Sequence, residues 1–477
     1  MHKNSLLALA AGIAVAGSWY LHRLAGLGMP LPWADECLFV FPAINLADHH
    51  TLFSPEVNPE RHLMWMPPGY SIVLASVFKI LPYSLQLARD LSWLFVALLF
   101  LGLLRLLKHA APYWSVIALT SAFLLAPHFI VAGNNARMDA LLLCIAVWGW
   151  FLVTRGSVYY GIALLLASTL IHPHGLYYLG AAVVYAAVRW RKSWPRPSGL
   201  QTISVVTAML LIGVYVVYVL QHQSEFVMDM QFQLARKASR NTFERLFSDS
   251  TMVSLLAGYG LAILIGTKFA RRHIPLLVFG GLSLIVPMIG LEMWYHVYVA
   301  VAALILQVVF IGFFSDLLDR TRLNEITRIG LLGVLLVGML GWSFFRGLIA
   351  NPKRYPDKLS WLGMQMDPAG EYLTKEERSR LIYRLNAMTD SLGSARIAFD
   401  PEGDALAVWR KADCRFVPYY PMFTTTKPDV VVIHTTRFLP AWWKGDDAKA
   451  RWEISERDLY FVSDDGDRWY VKVVNRH

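Results

Sequence analysis

The chain has 477 residues, of which 56% are hydrophobic and only 16% charged, with a formal net charge of +10; soluble domains run near a quarter charged. This composition excludes an ordinary soluble protein for most of the length and implies a chain largely dissolved in lipid. The Lys and Arg residues sit in short clusters between apolar runs, so the positive charge follows membrane topology and argues against a nucleic-acid partner. The three cysteines, Cys37, Cys144 and Cys414, are far apart, odd in number and outside any CxxC spacing, which excludes a disulfide framework or a zinc cluster.

In chain order, the Ala-rich segment Ser5 to Trp19 behind Lys3 reads as an uncleaved first span rather than a removed secretion signal. At roughly 20 apolar residues per crossing, spans fall near 5–22, 86–104, 115–132, 139–154, 158–171, 175–189, 202–220, 251–267, 274–290, 296–314 and 328–346. The expected fold is thus a polytopic α-helical membrane protein of about eleven transmembrane helices with a small soluble α/β domain. The fifth and sixth spans join at Ile171-His172-Pro173-His174-Gly175, and one long kinked segment is the alternative.

Lys and Arg accumulate in short cytoplasmic loops, which tests this count independently of hydropathy. With the N-terminus inside, the inner loops carry Arg105 and Lys108, then Arg155, then Arg189, Arg191, Lys192 and Arg196, then Lys268, Arg271 and Arg272, then Arg320, Arg322 and Arg328. Merging the fifth and sixth spans would turn the later clusters outward, so eleven spans are retained. An odd count makes 1–350 the transmembrane domain, and puts its outer loop 28–85 in the same compartment as the soluble domain 351–477. The expectation is a multi-pass protein of a bacterial inner membrane with a periplasmic C-terminal domain.

The outer loop opens on Trp33-Ala34-Asp35-Glu36-Cys37 directly after the first span. Two adjacent carboxylates at a membrane surface demand solvent or a partner, and capping of a short helix is a sufficient account of them. Apolar residues at helical spacing follow through Asp48, and Met66-Pro67-Pro68-Gly69-Tyr70 leads another stretch to Leu81. These helices are too short to cross and read as interfacial. Arg61 and His62 lie late in the same loop.

Further on, Asn134-Asn135-Ala136-Arg137-Met138-Asp139 heads the fourth span, where a local Arg137–Asp139 ion pair is the plain reading. Pro173 between His172 and His174 interrupts helix hydrogen bonding and bends the chain. A His-Pro-His pair without a matched carboxylate is poor grounds for a metal site. The outer loop 221–250, with Arg236, Lys237, Arg240 and Arg245 against Glu225, Asp229, Glu244 and Asp249, reads as a mixed-charge amphipathic helix on headgroups. Its alternative use is a set of cations near an anionic substrate. Glu292, Trp294, Tyr295 and His296 form an interfacial polar-aromatic cluster.

The order of these features resembles the GT-C glycosyltransferases, notably the protein O-mannosyltransferase and lipid A aminoarabinose transferase group: a first span, Asp35-Glu36, an interfacial helix, a Pro-Pro-Gly-Tyr-led helix ending near Phe78-Lys79, then Asn134–Asp139 and His172–Gly175. The likeness covers residues 1–190; beyond them it lies in hydropathy alone. It implies a polyprenyl-phosphate sugar donor, an acceptor that is lipid, glycan or protein, and inverting transfer to an acceptor hydroxyl. Asp35 would be the catalytic base, with Glu36 second choice or support. Arg137 would meet the donor phosphate, Asp139 would orient the acceptor or the arginine, and His172, His174, Arg61 and His62 would line the substrate site. Some relatives hold a divalent cation between first- and second-loop carboxylates, here Asp35 and Asp139; a mechanism free of cofactor, Mg2+ or Mn2+ is favoured. The rival readings are a transporter or flippase of a lipid-linked glycan and an inactive scaffold. Charges at span ends and the lack of a repeat between halves argue against transport.

After Asn351-Pro352 the chain turns polar, with a helix over Thr374 to Ser391 and β-type runs at Ala395 to Phe399, Val430 to Thr435, Asp458 to Ser463 and Trp469 to Val474. Such alternation predicts a small α/β layer, and Asp464-Asp465-Gly466-Asp467 predicts a hairpin. Tyr419, Tyr420, Trp442 and Trp443 are candidate carbohydrate contacts, with core packing the commoner use.

Overall fold

The computed structural model describes residues 3–27, 36–54, 57–58, 61–107, 113–238, 250–269, 273–290, 296–349, 375–393, 395–400, 415–416, 428–434, 452–462, 466 and 468–474. The described chain is mostly helical. Four of its helices hold segments long and apolar enough to cross a membrane: 5–23, 85–107, 199–221 and 297–318. In chain order the helices of the first half are α1 (Lys3–Leu27), α2 (Cys37–His49), α3 (Gly69–Phe78), α4 (Leu85–Leu107), α5 (Tyr113–Leu125), α6 (Pro127–Gly133), α7 (Met138–Thr154), α8 (Val158–Thr169) and α9 (Gly175–Arg189). They are followed by α10 (Gly199–Gln221), α11 (Gln223–Ala238), α12 (Ser250–Phe269), α13 (Ile274–Gly290), α14 (His296–Leu318) and α15 (Glu325–Ile349). A helix thus covers each apolar segment of the sequence, although many are shorter than a bilayer crossing.

The expected segment 115–132 is broken between α5 and α6. Pro127 stands at the first turn of α6, where a missing N–H costs nothing, and Ala126 before it is extended. The expected fifth and sixth segments are separate helices packed side by side, α8 against α9, which a single kinked helix would not permit. Close packing of α7 on α8 runs through Gly149 and Gly161. A Cβ at Gly161 would fall 2.6 Å from the carbonyl oxygen of Gly149, so the two backbones meet where small residues allow it. By contrast α10 is apolar yet almost wholly exposed, with only 6% of its span buried, and its start is fixed by a capping box between Ser198 and Gln201.

The C-terminal part contains α16 (Lys375–Leu392) and a mixed sheet of β1 (Arg396–Asp400), β2 (Arg415–Phe416), β3 (Val430–His434), β4 (Leu459–Val462) and β5 (Arg468–Val473), ordered β2-β1-β3-β5-β4. β1 runs parallel to β2 and β3, while β5 is antiparallel to β3 and to β4. The fully buried Ile397, Val432 and Trp469 supply its core. Asp429 closes the β1–β3 edge through two bonds to the Arg396 guanidinium, 2.9 and 2.6 Å. β4 and β5 form the expected hairpin, with Gly466 between them at φ +88°, a conformation glycine adopts at little cost. The two-residue β2 has no counterpart in the sequence reading. Tyr419, Tyr420, Trp442, Trp443 and Cys414 lie outside the described residues.

Candidate functional site

Asp35 lies outside the described residues, and Glu36 opens the chain that follows as the N-terminal flank of α2. Its side chain does not cap that helix. The carboxylate turns inward and is fully buried against Arg89 of α4, also fully buried. Arg89 donates from Nε to Oε1 at 3.0 Å and from Nη2 to Oε2 at 2.8 Å, and the backbone N–H of Ala136 donates to Oε1 at 2.7 Å. A bidentate guanidinium with an added amide donor supplies the hydrogen bonds that a buried carboxylate requires. Three segments that are 53 and 100 residues from Glu36 or adjoin it are thereby locked together.

The turn that offers Ala136 also carries Arg137 and Asp139. Arg137 is extended at the N-terminal flank of α7, and its Nε donates to Asp139 Oδ2 at 3.1 Å, both side chains being buried. Asp139 in the first helical turn also faces the positive end of the helix dipole. Tyr70 of α3 is fully buried beside this cluster, within hydrogen-bonding distance of Ser92 at 3.1 Å and edge-on to Phe39. Burial pushes its hydroxyl well above the usual phenol value, the charges of Glu36 and Asp139 add to the effect, and Ser92 and Arg137 oppose it. Tyr70 is therefore a neutral donor or acceptor here.

α3 also joins the histidine segment. The N–H of Gly69 donates to the Leu170 carbonyl at 2.8 Å, and a Cβ at Gly69 would collide with that oxygen. Beyond Leu170 the buried His172 and His174 meet at a tilt with ring centroids 3.9 Å apart, and His174 rests against Tyr177 and Tyr298. The backbone N–H of His174 donates to His172 Nδ1 at 3.0 Å. That bond leaves the ring proton of His172 on Nε2, which fixes this nitrogen as a donor.

Arg61 and His62 belong to a second cluster, formed with α10 and α11. Arg61 pairs with Asp229 at 2.7 Å, the N–H groups of His62 and Met64 donate to Glu225 and Asp229 at 2.7 and 2.6 Å, and Tyr218 meets His62 Nδ1 at 2.9 Å. Part of the mixed charge of residues 221–250, as far as they are described, is thus used inside the protein: Glu225, half-buried, and Asp229, only 2% exposed, bind the first loop. The side chains of Arg236, Lys237, Arg240 and Arg245, like those of Glu292, Trp294, Tyr295 and His296, lie outside the described residues.

Between the two clusters runs a largely apolar cleft of about 570 Å³, its open mouth included, bounded by Leu38 and Phe39 of α2, the stretch Leu63–Pro68, and Tyr215 and Tyr218 of α10. Among the described residues, no three His, Cys, Asp or Glu side chains converge as ligands of a metal ion would. Asp139, the described member of the carboxylate pair raised for a divalent cation, gives an oxygen to Arg137.

Sequence reasoning missed Arg89, Tyr70, Glu225 and Asp229 as parts of these clusters. Arg89 and Asp90 carried a usable signal, since two charges near the head of an apolar segment demand partners. No protein-family model matches the chain, and no curated protein matches it.

Proposed function

We propose that the protein is a membrane glycosyltransferase of the GT-C kind, moving a sugar from a polyprenyl-phosphate donor to an acceptor hydroxyl at the outer face of a bacterial inner membrane, with inversion. On this reading the chain crosses eleven times and residues 28–85 and 351–477 share the outer compartment. The observation that carries it is convergence. The first loop meets the Asn134–Asp139 turn through Glu36 and Ala136, and meets the His172–Gly175 segment through Gly69 and Leu170, beside an apolar cleft. Short motifs assembled by chance would have no reason to meet.

The chemistry assigns Asp35 as general base, taking the proton of the acceptor hydroxyl as its oxygen attacks the anomeric carbon and the bond from that carbon to the phosphate oxygen breaks. Cationic and N–H donors stabilise the departing phosphate, a task suited to Arg137 with Asp139 orienting it, and to the Nε2–H of His172. His174, Arg61 and His62 complete the substrate site. Glu36 acts through its bonds to Arg89 and Ala136 as support for the loop that carries Asp35, and the cleft takes the apolar chain of the donor.

The test incubates purified protein in lipid nanodiscs with polyprenyl-phosphate sugars and candidate acceptors, comparing wild type with Asp35→Asn. Wild type should transfer and the variant should lose a hundredfold or more, as loss of a general base does. Equal transfer by both sinks the assignment of the base. Absence of transfer from every carrier, with lipid-linked glycan crossing proteoliposome membranes, would establish the transporter reading instead.

A further inference from the structure

The cluster at the junction of α10 and α11 is built as a device rather than as packing. We propose that the contact between residues 61–64 and the α10–α11 junction is a proton-operated clasp, closed while at most one of His62 and His222 is protonated and opened when both are, which widens the adjoining cleft. It stands independently of the transfer reaction.

The fastening is polar and reversible. Two backbone N–H groups, of His62 and Met64, donate to the carboxylates of Glu225 and Asp229, and Arg61 pairs with Asp229. Among the described residues no helix or strand ladder joins these segments, so the bonds to Glu225 and Asp229 depend on the charge of those side chains. At the centre the rings of His62 and His222 stand 4.2 Å apart. Among the described residues, the titratable and charged groups facing this pair are Tyr218 from α10, Glu225 and Asp229 from α11, and Arg61 from the first loop; Phe53 covers His62 from the remaining side. His222 Nδ1 lies 3.1 Å from Glu225 Oε1 and donates to it, while His62 Nδ1 faces the Tyr218 hydroxyl.

With both imidazoles neutral, Arg61 against Glu225 and Asp229 leaves one net negative charge. One proton balances it. A second proton gives two imidazolium rings in contact, with Asp229 already bound to Arg61 and only Glu225 left to share. Burial first, then His222, holds His62 below the ordinary imidazole value, and Glu225 only partly opposes them. The closed state therefore binds fewer protons than the open one. Its stability is full above the ordinary value of about 6.5 and declines as pH falls through it. The cleft responds because Leu63, Met64 and Tyr218, which form its wall, are residues of the clasp or their neighbours.

Hydrogen–deuterium exchange on the full chain in nanodiscs reads the clasp through the amides of residues 61–64. After correction for intrinsic rate, protection should fall between pH 7.5 and 5.5 by up to about tenfold, the ceiling set by pH 5.5 lying one unit below the ordinary imidazole value. Peptides from α7 should show no change, and His62→Gln should remove the pH dependence, since burial of that ring is the first cause of its shift. Should that variant fail to fold, His62→Asn serves for the same comparison. Unchanged protection in wild type, an equal fall in α7, or a fall that persists in the substituted protein would each overturn the proposal.

Discussion

Arg89 illustrates how much a single side chain decides in this protein. A carboxylate and a guanidinium, both wholly removed from solvent, give little net stability as a pair, but removing one partner strands the other and costs about 3–5 kcal/mol. Arg89→Met should therefore lower the melting temperature of the detergent-solubilised protein clearly. The double substitution Glu36→Leu with Arg89→Met should recover part of the loss, because no buried charge remains. A residual deficit of about 1–3 kcal/mol is expected from the Ala136 N–H, which loses its acceptor in the double variant. If Arg89→Met melts with wild type, the pair does not hold the loop. In the sequence, Glu36 stood out as a charge beside a span, whereas its partner 53 residues on did not. Pairing at that distance is set by how α2 and α4 pack, and no local pattern encodes it. The carboxylates of Glu225 and Asp229 escaped for the same reason: a charge that is solvated and one that binds a distant amide look alike in a string of letters.

Elements were far more legible than contacts. Apolar runs located the helices from α4 to α10, with α5 and α6 read as one segment, because hydrophobic length is a property of consecutive residues, and the alternating runs near the C-terminus located β1, β3, β4 and β5. β2 was invisible, since two residues carry no periodicity, and it exists only through its parallel pairing to β1. The Pro-Pro-Gly-Tyr motif was legible as the start of α3, but the reason for its glycine was not. Gly69 is needed where α3 abuts the carbonyl of Leu170, with no room for a Cβ. Gly69→Ala should push α3 away from the His172–His174 turn and destabilise the protein by about 1–3 kcal/mol, the usual cost of overpacking. Gly180→Ala in α9 is the matched control, because nothing lies within 4 Å of the added methyl and alanine improves helix propensity by about 1 kcal/mol. Thermal melts of the two variants should move in opposite directions or, for the control, not at all; parallel shifts would show that the close approach is not decisive.

At the scale of the whole molecule the open quantity is the number of crossings. Four helical segments satisfy length and apolarity on their own, and α5, α7, α8 and α9 run only 12–17 residues. Short helices are nonetheless compatible with a bilayer when other helices shield them and satisfy their ends, and α7 is buried along nearly its whole length. The basic loops favour separate crossings of α8 and α9, since Arg105, Lys108 and Arg155 before them and Arg320, Arg322 and Arg328 after them can all lie inside only on that count. The side-by-side packing of those two helices supports that choice. A phosphatase that is active only outside the cytoplasm, fused at residue 477, should therefore be active, and the same reporter fused at residue 192 should be silent. Silence at 477 would mean an even number of crossings or an inverted chain, and activity at 192 would refute separate crossings of α8 and α9. An even count would separate the soluble domain from the first loop and remove the shared compartment on which joint action at the candidate site depends, whereas inversion would move both to the cytoplasmic side.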